Sequence, residues 1–364
     1  SYTKTDQIPD SGYTLNEEKS YCKIGEEKQD TTITYDMNTK TLNIAPMTTK
    51  GTKCYLYFDE QKTLLADAIK RDNQIKSETP NFSQAATTNE GVYKTEDDWG
   101  DSYYFRGAVT NNWVSFAGFY WRIIRINGDG SIRMIYNGTS TATTGTTTMI
   151  NNGASQAFNS SYDRSEYVGY MYTSGQQHGN TTDSPIKDVV DSWYSSNLAN
   201  YSDKISKEAG FCGDRNMASG SSWSSTPSST IYYAARERLY TNKTPTLKCS
   251  NSADLYTVSG SSKGNKALTN PVGLITADEV AMAGGVYGQT NQSYYLYNNQ
   301  YYWTMSPFNF NATSGFAYVF YVYSNGYLHY DSVNNAWGVR PVINLAHDVV
   351  IKSGNGSSST PYEI

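Results

Sequence analysis

Charge is what this sequence has least of. Only 17% of its 364 residues are Asp, Glu, Lys or Arg, and the formal net charge is -5, with a pI near 5.3. A protein that grips a phosphate backbone works by counterion release and needs clustered Lys and Arg, so no nucleic-acid partner is expected. Long apolar runs are absent too: no window approaches the roughly twenty apolar residues that span a bilayer. The chain begins at Ser1 with no initiator Met, so a signal peptide or membrane or pilus anchor is expected upstream.

Catalytic signatures are equally sparse. There is no nucleophile-elbow motif, no CxxC, and no loop with the EF-hand pattern. The glycines of Asn127-Gly-Asp-Gly130 lie in a hairpin turn rather than a phosphate loop. His178 sits in a Gly/Gln loop, His329 in a Tyr-rich strand and His347 near the C-terminus. None has a nucleophile beside it, so each reads as a surface or contact side chain rather than a general base. Asp278 and Glu279 are adjacent carboxylates, but they fall in a helix's first turn, where capping and the helix dipole account for them. The expectation is therefore no enzyme, no cofactor and no metal.

Four cysteines permit three connectivities. Pairing neighbours, Cys22 with Cys54 and Cys212 with Cys249, keeps each bridge inside one proposed domain. Each would close a loop of thirty to forty residues, worth about 3–4 kcal/mol on the chain-entropy account. Zinc is disfavoured, because the histidines lie far from the cysteines in sequence. Disulfides imply an oxidising, extracellular setting.

What the chain has in abundance is tyrosine, 33 residues, with 29 glycines and many Ser, Thr and Asn. Tyr buries a large apolar area while keeping a polar handle, a composition suited to extracellular β-rich binding surfaces. Residues 1–58 read as a small disulfide-stapled β domain, with a hairpin of Thr32–Tyr35 and Lys40–Ile44 about the turn Asp36–Thr39. Residues 59–100 read as a short helix carrying Leu64, Leu65, Ala68 and Ile69, then a polar linker from 77.

A second domain is expected over 101–348, with residues 349–364 as a tail. Its first hairpin turns at Asn127-Gly-Asp-Gly130. Ser184 caps a helix with Pro185 at its first position and Ile186, Val189, Val190, Trp193 and Leu198 as its buried stripe. Thr276 and Glu279 form a capping box, and Gly284-Gly285 stops that helix. The sequence between these helices reads as loops. Arg340 is the one charged residue expected to be buried, hydrogen-bonded to carbonyls or a carboxylate. Trp121, Trp193 and Trp303 are core candidates. The fold class is α+β: two helices with antiparallel strands, after the small β domain.

The sharpest signal runs from Phe308 to Asn335, where Lys, Arg, Glu, Gln and Met are all missing. Phe316, Tyr318 and Phe320 share one strand face and Ala317 and Val319 the other, so the Ala/Val face can pack on a core. An aromatic face left exposed marks a binding site.

Trp303-Thr-Met-Ser-Pro307, followed after this stretch by Gly338-Val-Arg-Pro-Val-Ile-Asn-Leu345, resembles the end of a C-type-lectin fold. The likeness is to its formylglycine-generating-enzyme-like branch, used as the variable protein of diversity-generating retroelements. Phe105-Arg-Gly-Ala108, Trp121-Arg-Ile-Ile-Arg-Ile-Asn-Gly-Asp-Gly130 and Pro271-Val-Gly-Leu-Ile-Thr-Ala-Asp-Glu279 are similar to runs in surface proteins of gut Firmicutes. The resemblance covers about residues 101–348. It implies mutagenesis at template adenines, which turns Asn codons into Tyr, Phe, Ser, Asp, His, Ala or Asn and cannot produce Lys, Glu, Gln or Met.

On that resemblance the variable, ligand-binding positions are Phe308, Phe310, Phe316, Tyr318, Phe320, Tyr321, Tyr323, Tyr327, His329, Tyr330, Asp331, Asn334 and Asn335. Trp337 departs from the pattern, since Trp is unreachable from an Asn codon, and is assigned to the scaffold. The enzymes of the branch need a cysteine pair near this end, and no cysteine follows Cys249. The expected function is recognition of a protein or glycan target at a cell surface, with the first domain as stalk or spacer. The alternative is a structural adhesin or pilus-tip subunit whose aromatic strands are buried in an assembly interface.

Overall fold

A computed structural model describes residues 2–9, 12–47 and 49–364, and the chain divides into two compact units, Ser1–Thr63 and Leu64–Ile364. In the first, Tyr21–Ile24 lies between Glu27–Gln29 and Lys53–Tyr55. Cys22 and Cys54 are directly opposite in that register and are bonded. The expected hairpin is present as Thr32–Asp36 against Thr41–Ala45. Asp36 Oδ1 accepts from the Asn38 and Thr39 amides at 2.8 and 3.2 Å, which is how the side chain shapes the turn. Ile33 and Cys22 are its few buried hydrophobics, so this unit leans on its disulfide.

The second unit is mixed α+β. Its central sheet runs in the order Val342–Leu345, Ile132–Tyr136, Phe119–Ile126, Gly100–Gly107, Asn89–Asp97 and Ile75–Lys76. The hairpin about Asn127–Gly130 closes as expected, the Asn127 amide donating to the Ser131 carbonyl at 2.8 Å. Helix Leu65–Asp72 buries Leu65, Ala68 and Ile69. Helix Pro185–Asn197 is capped by Ser184, and Ala277–Ala283 carries the full Thr276/Glu279 capping box and stops at Gly284 with φ 120°. Trp121, Trp193 and Trp303 are buried. Cys212 and Cys249 form the second disulfide, and two disulfides fit an oxidising compartment. No helix among the described residues is long and apolar enough to cross a membrane.

Four expectations are corrected. Residues 77–100 are not a spacer: Asn89–Asp97 pairs along the whole of Gly100–Gly107. Buried Arg106 ties the preceding loop down, donating to the Asn81 and Gln84 carbonyls at 3.3 and 3.2 Å and to Glu90 at 2.7 Å. Residues 349–364 are not a free tail, because Tyr362 is buried and its strand pairs with Trp113–Phe116. Nor is Arg340 alone: Arg106, Arg122, Arg125, Arg133, Arg215, Lys187, Glu166, Asp254 and Glu279 are buried as well. A third helical segment, Ala234–Arg236 running into a wide turn at Glu237–Asn242, also stands where loops were expected.

Arg340 does what its strand position suggested, donating to the Tyr136 and Leu296 carbonyls and to Asn137 Oδ1 at 3.0, 3.2 and 3.2 Å. Glu279 does more than cap. It accepts from the Thr276 amide at 3.0 Å and bridges Arg125 at 3.2 Å and Arg133 at 2.5 Å, pinning the helix to the central sheet. Burial opposes its ionisation, but Arg133 and Arg125 outweigh that and hold it below the usual glutamate range.

Candidate ligand surface

A second, four-stranded sheet carries the aromatic stretch, in the order Ile231–Tyr232, Tyr302–Asn311, Phe316–Val322 and Leu328–Ser332. The turn between its last two strands needs Gly326, with φ 89°, where a Cβ would collide with the Asn291 carbonyl. The Gly326 carbonyl accepts from the buried Tyr294 hydroxyl at 2.7 Å. Thr304 Oγ1 donates to the Phe320 carbonyl at 2.8 Å from the neighbouring strand. The sheet is thus fixed from beneath.

The candidate positions lie at different depths, and alternation holds only over Phe316–Val319. Phe308 and Phe310 are 4% exposed, Phe320 0% and Tyr321 4%. These four belong to the core, which corrects their assignment as contact residues. The reason is coverage on both faces: Phe308 packs against Phe320, and Tyr301 and Trp337 lie over Tyr321. Ala317 and Val319 are buried, as the Ala/Val face predicted. Phe316, Tyr318, Tyr323, Tyr327, His329, Tyr330 and Asp331 are half-buried, and Asn334 and Asn335 are exposed.

The half-buried rings touch one another in a continuous platform. Tyr330 stacks on Phe308 at 3.8 Å between centroids and on His329 at 4.9 Å. Tyr287 stacks on His329 at 5.4 Å. Tyr323 and Tyr327 stack at 4.7 Å with planes 7° apart, and Tyr301 meets Tyr323 edge-on at 4.7 Å. Phe316 lies apart from these, packed against Tyr162. Burial raises the Tyr330 and Tyr327 hydroxyls above their ordinary value, so they remain protonated donors at neutral pH. The hydroxyls of Tyr287, Tyr327 and Tyr330 have no hydrogen-bond partner among the described residues.

The polar candidates are committed locally. Asp331 Oδ1 accepts from the Ser332 amide and Asn335 Nδ2, both at 2.8 Å, and Oδ2 from Trp337 Nε1 at 2.9 Å. Asn334 Oδ1 accepts from Ser332 Oγ at 2.5 Å. Trp337, assigned to the scaffold, stacks on Tyr301 at 4.6 Å and is held by Asp331.

Sequence reasoning missed the platform's partners on other elements: Tyr232, Arg236, Tyr240, Tyr287 and Tyr301. Their one legible trace is spacing. Tyr232, Arg236 and Tyr240 recur every fourth residue, Tyr232 ending its strand and the other two on the helical segment that follows, with the Arg236 guanidinium 4.3 Å from the Tyr232 ring centre and 4.7 Å from that of Tyr240.

Away from this sheet, His178 is not a plain surface residue. Its Nδ1 lies 3.0 Å from buried Asp254, which also binds Arg215. Burial works against the Asp254 charge, yet His178 and Arg215 keep its carboxyl below the usual range. Among the described residues, no group of three or more His, Cys, Asp or Glu is placed to hold a metal ion.

No family model, no curated protein and no solved structure matches this chain.

Proposed function

We propose that this chain is a surface-displayed binding protein. Its second unit would be a C-type-lectin-like domain of the formylglycine-generating-enzyme-like branch. Its ligand site would be the ring platform around Tyr318, Tyr323, Tyr327, His329 and Tyr330, at positions varied by a diversity-generating retroelement. The first unit would be the stalk of an anchored chain. The observation that carries this reading is the platform itself: half-buried rings on a sheet fixed from beneath, with three tyrosine hydroxyls that meet no hydrogen-bond partner among the described residues. Rings held in place give contact area at little rotamer cost, and free hydroxyls give adaptable hydrogen bonds.

The test screens the wild-type protein and the triple variant Tyr318→Ala, Tyr323→Ala, Tyr327→Ala on arrays of peptides and of glycans. Targets held by the wild type should be lost by about tenfold or more in the variant, with an unchanged Tm. Undiminished binding by a folded variant sinks the site. Sequencing the flanking DNA tests diversification separately, by looking for a near-copy of the segment coding for 303–345 that differs only at adenines beside a reverse-transcriptase gene. The assembly alternative predicts an oligomer at micromolar concentration in sedimentation.

A further inference from the structure

Resting on that binding reading, we infer that the partner is a protein bearing an acidic segment, and that Arg236, outside the variable stretch, receives its carboxylate. Arg236 is half-buried between the rings of Tyr232 and Tyr240. It makes no ion pair among the described residues, and its Nε is buried with no hydrogen-bond partner. That sets it apart from the neighbouring Arg238, which is spent on Asp214 and, through two bonds at 2.8 and 2.9 Å, on Asp278. Glu237, the nearest carboxylate in sequence, accepts from the Ser219 amide at 2.9 Å and attracts Arg236 through space without forming an ion pair with it. Lys243 adds a second cation, 6.0 Å from both the Tyr240 and Tyr287 ring centres.

The rings beside this cation favour the same sign of ligand. Tyr287, His329, Tyr330 and Phe308 lie with nearly parallel planes and spend their faces on one another. An aromatic face is the negative part of the ring quadrupole and its edge the positive part. A stack that hides its faces therefore presents edges and O–H donors. Tyr240, 43% exposed, meets Tyr287 edge-on at 4.7 Å and links the stack to Arg236. A guanidinium is planar and forked, matched to a carboxylate.

A glycan fits less well. Sugar recognition uses a free ring face together with carboxylate or amide oxygens for the hydroxyls. Here the central faces are stacked, and the oxygens of Asp331 and Asn334 already accept bonds within their own turn. An acidic peptide asks for what remains: a fixed cation, ring edges and hydroxyl donors.

The experiment uses the full chain on an array of short peptides graded in Asp and Glu content, beside neutral and carboxylated glycans, at two salt concentrations. Acidic peptides should be captured, more weakly at high salt. Arg236→Gln should reduce that capture about tenfold, and Arg236→Lys, which keeps the charge without the fork, should lose less. Arg236→Gln gives up the two ring contacts of the guanidinium and Arg236→Lys keeps its charge there, so Tm is measured alongside and capture is compared at a temperature where every variant is folded. Capture of acidic peptides that Arg236→Gln leaves unchanged overturns the inference. So does capture of glycans alone, and so does a wild type that takes no acidic peptide. If the triple tyrosine variant loses a target that Arg236→Gln retains, the platform stands and only the acidic-partner assignment falls.

Discussion

The two larger sheets of the second unit solve the same problem in opposite ways. The central sheet buries charge and answers it with directional partners: Arg125 with Asp97 and Glu279, Arg106 with Glu90 and the carbonyls that end helix Ala277–Ala283, Arg340 with three acceptors. The four-stranded sheet buries rings, and on and beside it the hydroxyls of half-buried Tyr287, Tyr327 and Tyr330 meet no hydrogen-bond partner among the described residues. The buried charges of the first sheet depend on specific partners, so removing Asp97 or Glu279 strands a charge. A ring packed on rings is held by area, which other rings of similar size can supply. Directional pairing and ring packing are thus assigned to different sheets of one unit.

The largest break in this comparison should come from Glu279→Ala. It removes the carboxylate shared by Arg125 and Arg133 and the return half of the capping box. Leaving buried charge unpaired costs about 3–5 kcal/mol, read as a lower urea midpoint. Phe320→Leu, in the second sheet, trims a ring that Phe308 packs against at 5.0 Å. A loss of about 1–2 kcal/mol is expected, from transfer and a partly filled cavity. Equal losses from the two would erase the distinction between partner-held and area-held sheets.

Acid and alkali should separate the sheets as well. The folded-state pKa of Glu279 lies below its ordinary value of 4.5. Its contribution is therefore present above the ordinary value and lost as pH falls through the folded one. Tyr330 and Tyr327 have folded-state values above their ordinary 10.0. Their contribution is complete below the ordinary value and lost as pH rises through the folded one. Urea midpoints should fall at both ends of a pH series. Glu279→Gln should flatten the acid limb only, and Tyr327→Phe with Tyr330→Phe the alkaline limb only. An acid limb unchanged by Glu279→Gln would remove that carboxylate from the account.

Local chemistry was legible in the sequence; distant pairing was not. The Asn127–Gly130 turn and the Ser184 and Thr276 caps each rest on residues a short way apart, whose preferences act alone, while the cysteine pairs, 32 and 37 residues apart, followed from keeping each bridge inside one domain. The polar stretch 77–100 looked like a spacer because what orders it is remote: Arg106 reaches it while also binding the Ala281 carbonyl, 175 residues further on. The buried ion pairs were hidden for the same reason, with Arg125 and Glu279 separated by 154 residues. At the site, alternation along Phe316–Val322 correctly buried Ala317 and Val319. It could not show that Phe320 is covered by Phe308 and Tyr321 by Tyr301 and Trp337. Nor could it bring Tyr232, Arg236 and Tyr240 alongside.

The smallest expected effect is the most informative about recognition. Tyr323 and Tyr327 flank the Gly326 turn and stack on each other while both remain half-exposed. Single Ala substitutions there remove contacts that solvent largely replaces, so each should cost under about 1 kcal/mol. The double-mutant cycle should still return a coupling of about 0.5–1 kcal/mol, the range for an aromatic pair beyond its buried area. A coupling of that size means the rings are already oriented before any ligand arrives, and the ordering cost of binding is correspondingly smaller. A coupling of zero would mean the two rings move independently in solution. The sheet would then hold its buried rings fast and leave its outer ones to be ordered by the partner, and affinity would have to be won against that lost freedom.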